Sequence, residues 1–84
     1  RPSASEDAGV IRDRTSKQCL MLQEAHGLST RETEVMELIA RGNSMAAIAE
    51  RLVISENTVR THAKHIYTKL DIHRRQELLD MLHE

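Results

Sequence analysis

The amino-acid sequence predicts an all-α domain, and three observations carry that prediction. No segment alternates apolar and polar residues as a half-buried strand would. Aliphatic side chains recur at helical spacing, most regularly at Val59, Ala63, Ile66 and Leu70, which fall at i, i+4, i+7 and i+11. Serines suited to helix N-termini stand ahead of three apolar stretches, at Ser29, Ser44 and Ser55. The chain's 84 residues fit one small domain and leave no room for a second. A chain this short buries little surface, so compact helical packing around an efficient core is expected. Tyr67 is the only aromatic residue, which leaves Leu, Ile, Val, Met and Ala to build that core.

Residues 1–14, RPSASEDAGVIRDR, are polar and of mixed charge, and read as a linker or arm. Residues 15–26 read as a short extra N-terminal helix carrying Leu20, Met21 and Leu22, stopped by Gly27. The next helix starts at Ser29. Glu32 follows three residues later, so the serine oxygen can take the Glu32 amide while the carboxylate returns to the Ser29 amide. Val35, Leu38 and Ile39 form its inner stripe, and Gly42 is placed to end it with a left-handed cap.

A helix over about 44–52 is capped by Ser44 and turns Ile48, Ala49 and Leu52 one way, with Ala49 small enough for close helix approach. Val53 and Ile54 make a short apolar turn, and Ser55 caps a helix over about 56–69. That helix carries the regular Val59 to Leu70 stripe. At about 100° per residue, Asn57, Thr61, Lys64, His65 and Thr68 lie opposite the stripe, with Arg60 at its edge. The chain turns after Asp71, and a last helix over about 74–83 carries Leu78, Leu79, Met81 and Leu82, the first and last of these facing the core.

Two helices joined by a tight turn over 44–70, the second polar on its outer side, are built as a helix must be to enter the DNA major groove. Overall charge argues against this at first, since the net is −1 and nucleic-acid binders are usually basic. The distribution reverses the argument. Residues 56–75 hold Arg60, Lys64, Lys69, Arg74 and Arg75 against Glu56 and Asp71, a net of +3, while 76–84 hold only the acidic Glu77, Asp80 and Glu84. Positive potential therefore gathers at the reading helix, where it steers an anion.

Other functions find little support. There is no Gly-rich phosphate loop, paired-carboxylate motif or nucleophile arrangement, so no enzyme is expected. His62 and His65 could share a face, but no Cys or carboxylate completes a metal set at usual spacing, so no metal or other cofactor is expected. Cys19 stands alone, forms no internal disulfide and reads as a small apolar side chain. No apolar run has the length of a membrane span and no signal peptide opens the chain, so a cytoplasmic location without membrane contact is expected. Arg1 rather than Met comes first, so the chain is expected to be a piece of a longer protein.

Three segments, LSTRETEVMELIARG at 28–42, IAERLVISENTVRTH at 48–62 and HIYTKLDIHRRQELLDML at 65–82, together resemble the C-terminal DNA-binding domain of LuxR-type (NarL/FixJ, GerE) transcriptional regulators. They cover about two thirds of the chain in order, and their joint spacing is far more specific than any one piece. The resemblance implies a four-helix helix-turn-helix domain over 28–84, with 1–27 as linker and N-terminal arm. It implies base contacts from Arg60, Thr61 and Lys64, phosphate contacts from Thr58 and Lys69, and a packing role for His62. Asn57, His65, Thr68 and Ser44 are weaker DNA-facing candidates. Arg suits a bidentate grip on guanine, Lys a base edge or a phosphate, and Thr61 a thymine methyl or a phosphate.

The expected partners are double-stranded promoter DNA, a second copy of the chain meeting it through the last helix, with Leu79 and Met81 as interface candidates, and RNA polymerase. No small molecule is expected to bind this part. In the family a separate N-terminal domain receives the signal, as in response regulators.

Three positions depart from the family pattern. Ala47 replaces the acidic residue that would complete a capping box with Ser44, at a cost of about 1 kcal/mol or less. Asp71 stands where Gly is common. Arg74 stands where Ser often caps the last helix, which leaves that start looser or capped by another group. The rival reading is a helical protein-interaction module that has lost DNA binding, favoured by the near-neutral charge and acidic last helix. RNA is less suited, because single-strand readers stack bases on several aromatics.

Overall fold

The structure, a computed structural model, describes residues 14–82. Five helices follow one another: α1 (Arg14–His26), α2 (Thr30–Ala40), α3 (Met45–Leu52), α4 (Glu56–Leu70) and α5 (Arg75–Leu82). No strand occurs among the described residues, so the all-α expectation with an extra N-terminal helix holds. The polar stretch expected to form an arm lies outside the described residues except at its last residue, Arg14, which opens α1.

Helix α2 is the hub and packs against each of the other four, while α4 lies across α2 and α3. The core joins Val35, Met36 and Ile39 of α2 to Ile48 and Ala49 of α3 and to the Val59, Ala63, Ile66 and Leu70 stripe of α4. Leu78 and Leu82 of α5 close it from below, as the sequence suggested. Met36 was not part of the expected stripe, yet it is fully buried, and Leu38 is only half-buried. The buried face of α2 is thus rotated from the expected line, towards Met36 and away from Leu38.

On α1 the core residue is Cys19, which is fully buried. Leu20 and Met21, the bulkier neighbours, are exposed. A helix only partly covered by its neighbours buries one narrow strip, and here that strip runs through Cys19 rather than through the bulkier Leu20 or Met21. Ser16 Oγ donates to Glu37 Oε2 at 2.9 Å, and Arg41 Nη2 reaches both that oxygen and Ser16 Oγ, which ties α1 to the end of α2.

Three serine caps form as the sequence suggests. Ser29 and Glu32 make a reciprocal capping box, with bonds of 2.9 and 3.1 Å. Ser44 accepts from the Ala47 amide and Ser55 from the Thr58 amide, both at 3.1 Å. Arg74 has no capping side chain of its own. Glu77 supplies the cap instead, its Oε1 accepting from the His73 and Arg74 amides at 2.7 and 2.9 Å. Arg75 then donates to the Ile39 carbonyl at the end of α2, where cations are favoured.

In the short apolar turn between α3 and α4 the two residues face different surroundings. Val53 is left-handed (φ 57°, ψ 50°) and 87% exposed, while Ile54 packs partly against the core. A β-branched residue in that region is strained. Asp71 takes the same conformation after α4 (φ 58°), which is the backbone reason that Gly suits the position.

Candidate nucleic-acid interface

Helix α4 runs for 15 residues, about 22 Å at 1.5 Å per residue, and buries only its Val59–Leu70 stripe. Asn57, Thr58, Arg60, Thr61, Lys64, His65, Thr68 and Lys69 are all exposed on the remaining sides. Five of them, Asn57, Thr58, Arg60, Thr61 and Lys64, border one shallow surface depression. A helix about 10–12 Å across, polar on its free side, matches a major groove about 12 Å wide.

Their hydrogen bonds decide what each can offer. Thr61 Oγ1 donates to the Asn57 carbonyl at 3.0 Å, and Thr68 Oγ1 to the Lys64 carbonyl at 2.9 Å. With those hydrogens engaged, both hydroxyls present acceptor lone pairs and a methyl group outward. They suit base amino groups and the thymine methyl better than a phosphate. Thr58 Oγ1 lies 2.9 Å from Ser55 Oγ at the α4 N-terminus, where exposed amides favour an anion. Arg60 reaches Glu56 at 3.2 Å, an exposed pair that costs little to open. Lys64 makes no ion pair among the described residues. Ser44 is exposed at the start of α3.

One flank of α4 is fastened to the start of α2. Glu32 is 5% exposed, and its Oε1 accepts from Lys69 Nζ and from the Ser29 amide, each at 2.9 Å. Lys69 also donates to the Gly27 carbonyl at 3.2 Å, and His65 Nδ1 stands 3.6 Å from the other Glu32 oxygen. The Lys69 hydrogen bond, then the Ser29 amide, hold the Glu32 carboxyl below the ordinary carboxylate range. The ammonium keeps a third hydrogen for an outside acceptor. Sequence reasoning placed Glu32 in the capping box but did not find this second role, because Lys69 lies 37 residues away.

The opposite flank is a groove lined by Arg60, Lys64, Tyr67 and Thr68 of α4, by Asp71, Ile72 and His73 after it, and by Met45 of α3, with Ala63 at its base. Tyr67 and His73 were not among the expected site residues. The sequence signal for Tyr67 was its i, i+3 and i, i+7 spacing from Lys64 and Arg60. On α5, Leu79 and Met81 are both half-buried, and Met81 packs partly on the core of its own chain. His62 is half-buried on α4. Among the described residues no helix is long and apolar enough to cross a membrane, and no three His, Cys, Asp or Glu side chains gather as a metal site would require.

The family model "GerE: Bacterial regulatory proteins, luxR family" matches residues 26–82. The chain is similar to the "Oxygen regulatory protein NreC" of Staphylococcus haemolyticus, 47% identical over 53 residues, and to proteins of the same name from Staphylococcus epidermidis and Staphylococcus aureus, each 45% identical over 53 residues. Each match covers 63% of this chain and 24% of the relative, so the chain spans about a quarter of the length of the proteins it matches. No solved structure matches at comparable stringency.

Proposed function

The chain belongs to the luxR family of bacterial regulatory proteins, and from that premise we propose that it binds double-stranded DNA sequence-specifically with α4 in the major groove. As a member of that family it is a DNA-binding domain of a transcriptional regulator, and the family is one of regulators rather than enzymes. The observation that carries the finer reading is the free polar face of α4, on which Arg60, Thr61 and Lys64 point away from the buried stripe.

In this reading phosphates set the register and side chains on α4 read bases. Thr58 meets a phosphate at the α4 N-terminus, and Lys69 gives its remaining hydrogen to another from the opposite end of the helix. Arg60 leaves Glu56 for a guanine, where its two parallel donors match O6 and N7. Thr61 turns its methyl or lone pair to a thymine or a base amino group. Lys64 takes a guanine edge or a phosphate, with Asn57, His65, Thr68 and Ser44 at the rim of the contact. Two chains would bind as a pair on adjacent half-sites through α5, where Leu79 remains half-exposed. The whole regulator would respond to a signal received outside this domain.

Sites selected from a random duplex library, followed by anisotropy titrations on the selected and a scrambled duplex, test the assignment. Arg60→Ala should cost about 1–3 kcal/mol on the selected site and relax one base position. Lys69→Ala should weaken both duplexes alike and flatten the salt dependence by about one unit. Identical behaviour of the two variants on both duplexes would overturn the division between base and phosphate contacts.

A further inference from the structure

We propose that the groove beside α4 is a seat for one phosphodiester of the bound DNA, with the Tyr67 hydroxyl as hydrogen-bond donor and Lys64 and His73 flanking the phosphate. The proposal rests on the DNA-binding reading above and assigns a residue that reading does not use.

The groove has the two-part chemistry of a sugar-phosphate backbone. Its base is apolar, formed by Met45, Ala63 and Ile72, which suits the deoxyribose face. Its rim is polar and carries Arg60, Lys64, Tyr67 and His73. Arg60 and Lys64 also border the depression on the reading face, so the groove is continuous with the surface expected to meet bases. A strand whose bases face Thr61 would run its backbone along this side.

Tyr67 is the decisive side chain. It packs partly against the core while lining the groove, and its hydroxyl makes no hydrogen bond to any described residue. The ring is held by the core while the hydroxyl, with no partner among the described residues, is left to the groove. Burial also pushes its pKa above the ordinary value, so the hydroxyl keeps its proton and acts as a donor. The neighbouring Thr68 cannot substitute, since its hydrogen already goes to the Lys64 carbonyl. Asp71 is the one carboxylate on the rim among the described residues. It opposes the phosphate and fixes where along the groove the anion sits, towards Lys64 and away from the α4 C-terminus.

The test is a coupling measurement on the full chain. Tyr67→Phe and His73→Gln are titrated against the selected and scrambled duplexes, and then against a series in which single phosphates are replaced by neutral methylphosphonates. Tyr67→Phe should leave the melting temperature unchanged and weaken both duplexes about three- to tenfold. Replacing one particular phosphate should cost the wild type several-fold more than it costs Tyr67→Phe, the remainder being the loss at Lys64 and His73, and His73→Gln should couple to the same phosphate. Wild-type affinity in Tyr67→Phe, or a loss that remains additive with every phosphate replacement, overturns the seat while leaving the reading of α4 standing. Failure of the wild type to bind any duplex overturns both.

Discussion

Glu32 joins a helix cap, an ion pair and the underside of the reading helix, so its removal can be graded. Its side chain is 7% exposed and that of Lys69 is 38% exposed, between the surface and the buried regimes. Glu32→Gln keeps an oxygen for the Ser29 amide but loses the charge that holds Lys69. Exposed pairs contribute about 0–1 kcal/mol and breaking buried ones costs about 3–5, so about 1–2 kcal/mol is expected here, near the lower end because Lys69 can turn to water. Glu32→Ala also removes half of the capping box at Ser29, worth about 1 kcal/mol more. At about 4–8 °C per kcal/mol for a domain of this size, Glu32→Gln should lower Tm by about 5–15 °C and Glu32→Ala by about 10–20 °C. Thermal melts followed by far-UV circular dichroism read both. In a Lys69→Met background, Glu32→Gln should cost almost nothing further, because the partner is already gone. Losses below about 0.5 kcal/mol for both variants, the range of ordinary surface changes, would refute the claim that this pair fastens α4 to the start of α2.

Other predictions concern the turns, the caps and acid. Val53→Gly should raise stability by up to about 1 kcal/mol, since the strain of a left-handed Val exceeds the entropy that Gly loses and the lost side chain is exposed; a urea midpoint shift reads it. Ala47→Glu should complete the box with Ser44 and add up to about 1 kcal/mol by the same measurement. The carboxyls of Glu32 and Glu77 are held below 4.5 in the folded chain by Lys69 and by backbone amides respectively, so the unfolded chain binds more protons there. Their stabilisation is present above about pH 4.5 and lost as pH falls through the lower folded values. Urea midpoints should accordingly decline below that pH, and Glu32→Gln should make the decline shallower.

The features legible in the sequence are local ones. Ser29 with Glu32, Ser44 and Ser55 cap their helices because each bond closes within three residues, inside a segment whose geometry the helix already sets. The stripe from Val59 to Leu70 is buried because a period of 3.6 places all four on one line, which also leaves Arg60, Thr61 and Lys64 outside it. Periodicity could not settle residues at the margins of a face. Whether Cys19 or Leu20 enters the core, whether Tyr67 borders a groove, and whether Lys69 meets a carboxylate depend on where neighbouring helices land. Those positions were decided by contacts between residues far apart in sequence, Lys69 with Glu32 and Arg75 with Ile39 among them. A helix fixes the direction of each side chain, but only the packed domain fixes what stands in front of it.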